Sequence, residues 1–169
     1  MNKMFFVDFE ASDYAGYPIE IGWAVLDLGD MAVSSKSLLI KPTDFWIEHD
    51  DLWSDRAEQV HGISMERLMA EGLDVAEVCG RVDAVLGEES AYSDNQSYDS
   101  RWADMLYQEA ERPRPWRCKD VEQLYAGIDK LVLRNSIQQA HKLVPEFHRA
   151  DKDAERLAWV WYFVLHGGG

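Results

Sequence analysis

The run Met4-Phe5-Phe6-Val7-Asp8-Phe9-Glu10 constrains this chain more than any other feature. Residues 4–9 read as a central β-strand, and its end carries two carboxylates in Asp-x-Glu spacing. Residues i and i+2 of a strand point to one face, so Asp8 and Glu10 project together. Charge set against an apolar strand is costly without a partner. The fold must either leave this strand end in water or bring up groups that offset two negative charges. The same spacing recurs at Asp120/Glu122 and Asp153/Glu155, as expected by chance with 31 acidic residues in 169. Only the apolar context sets the first pair apart.

A second strand is expected over residues 19–28 and a third over 33–40. Gly29-Asp30 between them predicts a tight antiparallel hairpin. Residues 42–64 read as a long loop with short helical pieces. Apolar residues from Leu73 to Leu86 suit an amphipathic helix. A short strand follows over 90–93, then a helix over 100–109 that Arg112-Pro113-Arg114-Pro115 ends. A brief last strand over 116–118 precedes a helix over 121–127 capped by Asp120, and a further short helix is expected over 136–142. The final helix runs over about 151–166, with a core face of Ala154, Leu157, Ala158, Trp161, Val164 and Leu165 spaced i, i+3, i+4. Three strands first, then strands alternating with helices, predict an α/β fold with a mixed sheet and helices on its faces. Residues 1–166 read as one domain and Gly167-Gly168-Gly169 as a frayed tail.

Net charge is −14, which argues against a long duplex-binding groove, because phosphate contacts come from Lys and Arg. It does not argue against an enzyme holding the end of a strand through cations bound to carboxylates. No apolar run reaches the roughly 18 residues of a membrane span, and the first residues do not resemble a secretory signal; a cytoplasmic protein is expected. Cys79 and Cys118 stand far apart and outside any C-x-x-C pair, and are read as buried small apolar residues. There is no G-x-S-x-G, and neither cysteine has a catalytic setting.

Two further acidic positions each have an ordinary reading. Asp99 follows a strand and opens a helix, where Asp is a good N-cap. Asp153 lies in the first turn of the last helix, where the dipole favours an acid. His148, on the loop just before it, would in isolation be a surface histidine.

Taken in order, D-x-E at Asp8/Glu10, a lone Asp99 after a strand, and His148-x-x-x-x-Asp153 before a helix resemble the DEDDh branch of the DnaQ-like exonucleases. Segments between these motifs match too. Pro18-Ile19-Glu20-Ile21-Gly22 looks like the family's second strand, Val60-His61-Gly62-Ile63-Ser64 like its V-H-G-I-[ST] loop, and Asn95-x-x-Tyr98-Asp99 like its N-x-x-F-D segment. The resemblance spans nearly the whole chain. It implies a ribonuclease-H-like five-stranded sheet, three strands antiparallel and then two parallel, with helices on both faces. It implies that Asp8, Glu10, Asp99 and Asp153 bind two Mg²⁺ or Mn²⁺ ions, and that His148 is the general base. It places His61, Asn95 and Tyr98, and the backbone around Phe9, Ala11 and Ser12, near the terminal nucleotide. The implied activity is 3′–5′ hydrolysis of single-stranded DNA, RNA or short oligonucleotides to nucleoside 5′-monophosphates, with a homodimer as one possible assembly. A catalytically silent DnaQ-like module and an acidic nucleic-acid mimic are the rival readings; ordered acidic motifs are unexplained by the second.

Overall fold

In the computed structural model, which describes residues 2–49 and 52–167, five strands form one sheet in the order β3-β2-β1-β4-β5. The first three are β1 (Lys3–Ala11), β2 (Pro18–Asp27) and β3 (Ala32–Leu39), paired antiparallel. Then come β4 (Ser90–Ser93), parallel to β1, and β5 (Arg117–Asp120), parallel to β4. Of the chain's last three glycines, Gly167 sits at φ 78°; Gly168 and Gly169 lie outside the described residues.

The alternation of side chains sorts the core into two layers. Phe5, Val7, Phe9 and Ala11 of β1, with Ile19, Ile21 and Trp23 of β2, face one way. They pack beneath α3 (Met65–Glu71), α4 (Val75–Leu86) and α5 (Gln96–Glu109), with Trp46 of α1 (Asp44–His49) and the loop after α2 (Asp55–His61) closing the end. Phe6 of β1 and Ala24 and Leu26 of β2 face the other way, against Ala154, Leu157 and Ala158 of α8 (Ala150–Leu165). The short α6 (Glu122–Tyr125) and α7 (Lys130–Leu143) flank α8 on that side. Asp8, Glu10 and Glu20 are even-numbered and so belong to the α8 face.

All five expected strands are present, with shifted ends. The last begins at Arg117 instead of Trp116, because the Trp116 ring is buried and its Nε1–H donates to the Tyr107 hydroxyl at 2.9 Å. Helix α3 was not anticipated, although Ser64 caps it by accepting from the Arg67 N–H at 3.2 Å. Leu73 pairs with Ile40 in an isolated bridge, so α4 starts later than the apolar pattern suggests. Helix α7 begins six residues before the expected Ser136, at Lys130, behind an Asp129 cap that accepts from Leu131 and Val132 at 2.8 and 3.2 Å. On α8, Leu165 is exposed and Val160 takes a core place instead. Cys79 is buried, Cys118 only half so, and both are free thiols. Among the described residues no helix is long and apolar enough to cross a membrane.

Candidate active site

The site forms where β1 outruns its parallel neighbour. Strand β4 pairs with β1 only through Phe5↔Ala91 and Phe6↔Tyr92. Beyond that the two chains diverge, and Asp8 and Glu10 border a cleft at the carboxyl ends of both strands, the usual place for a site in an open α/β sheet. The cleft has a volume of about 960 Å³ and is lined from β1, α2, α5, α6, α7 and α8.

Two groups of carboxylates meet there. Ligand atoms of Asp8, Glu10 and Asp153 lie within 4.8 Å of one another, and so do those of Asp8, Asp94 and Asp99. Asp8 belongs to both. All donors are hard carboxylate oxygens, a set that suits Mg²⁺ or Mn²⁺. The four acids expected from sequence are thus brought together. Asp94 joins them unforeseen; it stands immediately after β4, on the turn that carries the chain to Asp99.

Asp99 is not the helix cap its position suggests. Helix α5 starts at Gln96 with Asn95 in the cap position, which puts Asp99 one turn inside and fully buried. Its carboxylate accepts from the Ser93 hydroxyl and from the Phe9 backbone N–H. Asp153 does serve its helix start, accepting from the Arg149 N–H at 3.2 Å, while its other oxygen meets the Arg156 guanidinium. Asp151 stands in neither group.

Electrostatics reflects this crowding. Burial, followed by repulsion from Asp153 and Glu20, pushes Glu10 up to about 8. Burial raises Asp99 to about 7 against the opposing pull of the Ser93 hydrogen bond. Asp8 is raised well above the carboxylate range by burial and then by Asp99, Glu10, Asp153 and Asp94. Asp94 is raised by burial and by Asp153. The nearby Arg149 and Arg156 only partly offset this repulsion, and a bound cation would supply further positive charge.

His148 lies on the α7–α8 loop, exposed, at φ 58°, and lines the cleft. His61 closes α2 and is 6% exposed. Its Nδ1 accepts from the Ile63 N–H at 3.0 Å, so the proton sits on Nε2, which has no partner and is buried. Burial also lowers its pKa, keeping the ring neutral. The result is a buried hydrogen-bond donor without a partner, on a residue that borders the cleft.

Phe9, Ala11 and Asn95 line the cleft as well. The Ser12 hydroxyl, unlike the backbone named for this position, is engaged in a closed loop, accepting from the Tyr17 N–H at 3.1 Å. Tyr98 packs between Tyr14 (5.8 Å between ring centres) and Trp102 (5.5 Å), and those two rings reach the cleft instead. Trp102, three residues after Asp99 and so on the same helix face, was findable from spacing.

No family model matches this chain, and no curated protein matches it. Solved structures do. Exonuclease I of E. coli, in the zinc-bound form of its single-stranded DNA complex, superposes with a TM-score of 0.69 at 15% identity, over 98% of this chain and 41% of that one. The same enzyme with a dA16 oligonucleotide gives 0.70 at 16% identity, over 98% and 41%. A full-length 3′-exonuclease gives 0.69 at 12% identity, over 99% and 61%. This chain has the fold of exonuclease I, a five-stranded mixed sheet with helices. It spans about two fifths of the length of exonuclease I. Within that exonuclease fold, the carboxylate cleft sits at the open end of β1 and β4, walled on one side by the α5 layer and on the other by α8.

Proposed function

We propose that this chain is a metal-dependent 3′–5′ exonuclease that removes nucleoside 5′-monophosphates from the 3′ end of single-stranded DNA, RNA or short oligonucleotides. The observation that carries this reading is the pair of carboxylate triads sharing Asp8, on a fold that this chain shares with exonuclease I and with a 3′-exonuclease. Asp8, Glu10, Asp99 and Asp153 would hold two Mg²⁺ or Mn²⁺ ions, with Asp94 beside them. Bound there, the cations would supply Lewis-acid activation of water and charge stabilisation at phosphorus.

The chain's own groups account for the rest. His148 accepts a proton from the attacking water, whose oxygen bonds to the terminal phosphorus. The P–O3′ bond breaks, and the electron pair leaves with the 3′-oxygen of the shortened strand. An imidazole suits this role because its ordinary pKa lies near neutrality. The Nε2–H of His61 offers one directional hydrogen bond to the terminal nucleotide. Tyr14, exposed at the cleft, offers an aromatic face on which any base can stack, so recognition of the end does not depend on sequence.

Digestion of 5′-labelled DNA and RNA oligonucleotides with Mg²⁺ or Mn²⁺ tests this. A ladder shortening from the 3′ end, with mononucleotide products and complete loss in EDTA, is the expected result. Undiminished cleavage in EDTA, or no cleavage of any strand, would remove the assignment. Metal binding without cleavage would instead favour a silent module.

A further inference from the structure

We propose that Glu20 is a positioning residue that sets the place of His148 from the neighbouring strand. Its importance rests on the exonuclease reading above, in which His148 is the base. Glu20 lies directly opposite Glu10 in the β1–β2 pairing. Two like charges facing across a ladder repel, and Glu20 is completely buried. It should be an expensive place for a carboxylate. Every oxygen is nevertheless engaged. Oε1 accepts from Arg149 Nη2 at 2.6 Å and from the Ser37 hydroxyl at 2.8 Å. Oε2 accepts from Arg149 Nε at 3.1 Å and from the Ala150 N–H at 3.1 Å. Burial alone would raise its pKa, but these hydrogen bonds outweigh it and hold Glu20 below the usual range.

The partners define what this arrangement does. Arg149 immediately follows His148, and Ala150 is the first residue of α8. Arg149, at the cap position, makes no side-chain cap of its own, so Glu20 caps this helix from another strand. Two residues further along the same face of β2, Gly22 makes the close approach possible. A Cβ there would stand 2.0 Å from the Ala150 carbonyl carbon. The sequence Glu20-Ile21-Gly22 is therefore a seat for one helix start: Gly22 provides the room and Glu20 the bonds. On the far side of His148, Arg156 grips the carbonyls of Val144 and Glu146. That leaves His148, at positive φ, suspended between two anchored points. A bidentate Arg–carboxylate pair fixes orientation as well as distance, so the Glu20 end determines where the imidazole points.

The test is a double-mutant cycle. Glu20→Gln should lower kcat roughly 10–100-fold with little change in KM, the usual cost of losing a group that orients a functional one. In a His148→Ala background the same change should cost less than about 3-fold, because its effect passes through the absent imidazole. Val82→Ala, a core change in the opposite layer, should lower stability without moving kcat. Arg149→Lys, which keeps charge but loses the two-pronged geometry, should follow Glu20→Gln in direction and serves if that variant does not fold. Histidine-labelled NMR gives a readout independent of turnover: the His148 ring signals, identified by their loss in His148→Ala, should shift in Glu20→Gln while those of His166, stacked on Tyr162 at the far end of α8, stay. Equal losses in both backgrounds, or an unmoved His148 signal, would overturn the proposal. If wild-type protein cleaves nothing, the exonuclease reading has failed, and the NMR arm alone decides whether Glu20 positions this loop.

Discussion

Asp8 is the residue on which both carboxylate triads depend, and its substitution separates chemistry from stability. Asp8→Ala should bring cleavage down to background. It should leave the melting temperature in EDTA unchanged or higher, because it relieves repulsion with Asp99, Glu10 and Asp153. A variant that loses activity only by unfolding would contradict this, and circular dichroism distinguishes the two. His148→Ala should lower kcat by roughly 10²–10⁴-fold, the range for a general base, with Mn²⁺ affinity retained because the imidazole is in neither triad. An unchanged rate would take His148 out of that role. These five residues were legible in sequence only as an ordered set resembling a known family; by position alone Asp99, Asp153 and His148 each had an ordinary reading. Asp94 was not, since one acid among 31 carries no signal until β4 and β1 are seen to diverge. Ser12 and Tyr98 mark the opposite limit. A motif says which residue lies near a site, but local hydrogen bonding and ring packing decide which atom faces it.

Elements were legible to the extent that their periodicity was local. The first two antiparallel strands announce themselves through β-branched and aromatic runs, and the third through the Gly-Asp turn before it, where the Gly29 and Asp30 N–H groups donate to Asp27 Oδ1 at 2.9 and 3.3 Å. Helix α3 and the first turns of α7 were missed although Ser64 and Asp129, good N-cap residues, mark their starts. Gly22 was matched as part of a motif, but its reason is tertiary: α8 crosses β2 so closely that only a hydrogen fits. Gly22→Ala should therefore behave unlike an ordinary strand substitution. The new methyl meets backbone, which cannot rotate away, so the start of α8 must shift. Destabilisation of about 1–3 kcal/mol, the usual scale of overpacking, is expected by urea unfolding, together with weaker Mn²⁺ binding as Asp153 moves with its helix. Wild-type stability and metal affinity in this variant would mean that α8 is not seated as described.

At the scale of the whole molecule, the exonuclease reading sets a net charge of −14 against a polyanionic substrate, and on that reading cations at the carboxylate cluster would serve both folding and binding. Two arginines line the cleft, Arg56 and Arg156, and Arg156 already faces Asp153. With saturating Mg²⁺ held constant, KM for an oligonucleotide should rise by roughly 3-fold or less between 50 and 200 mM KCl, as expected for about one phosphate contact. A far steeper dependence would point to a basic track outside the cleft. Stability should respond to protons and Mg²⁺ in a linked way. In the folded chain Glu10 titrates at about 8 and Asp99 at about 7, against ordinary values of 4.5 and 3.8. The folded state therefore holds protons that the unfolded state has already released, and stability falls as pH rises through those values. His61, whose pKa is lowered from 6.5, contributes in the opposite direction, but only below that value. From pH 6.5 to 8.5 the carboxylates act alone. In EDTA the melting temperature should drop by roughly 5 °C across this window. Saturating Mg²⁺ should abolish the drop, since a bound cation replaces the protons and is itself held more tightly as they leave. Calorimetric scans at the two pH values, with EDTA or Mg²⁺, measure all four corners of this cycle. A metal-free protein equally stable at both would mean that the acids are not crowded enough to need a cation.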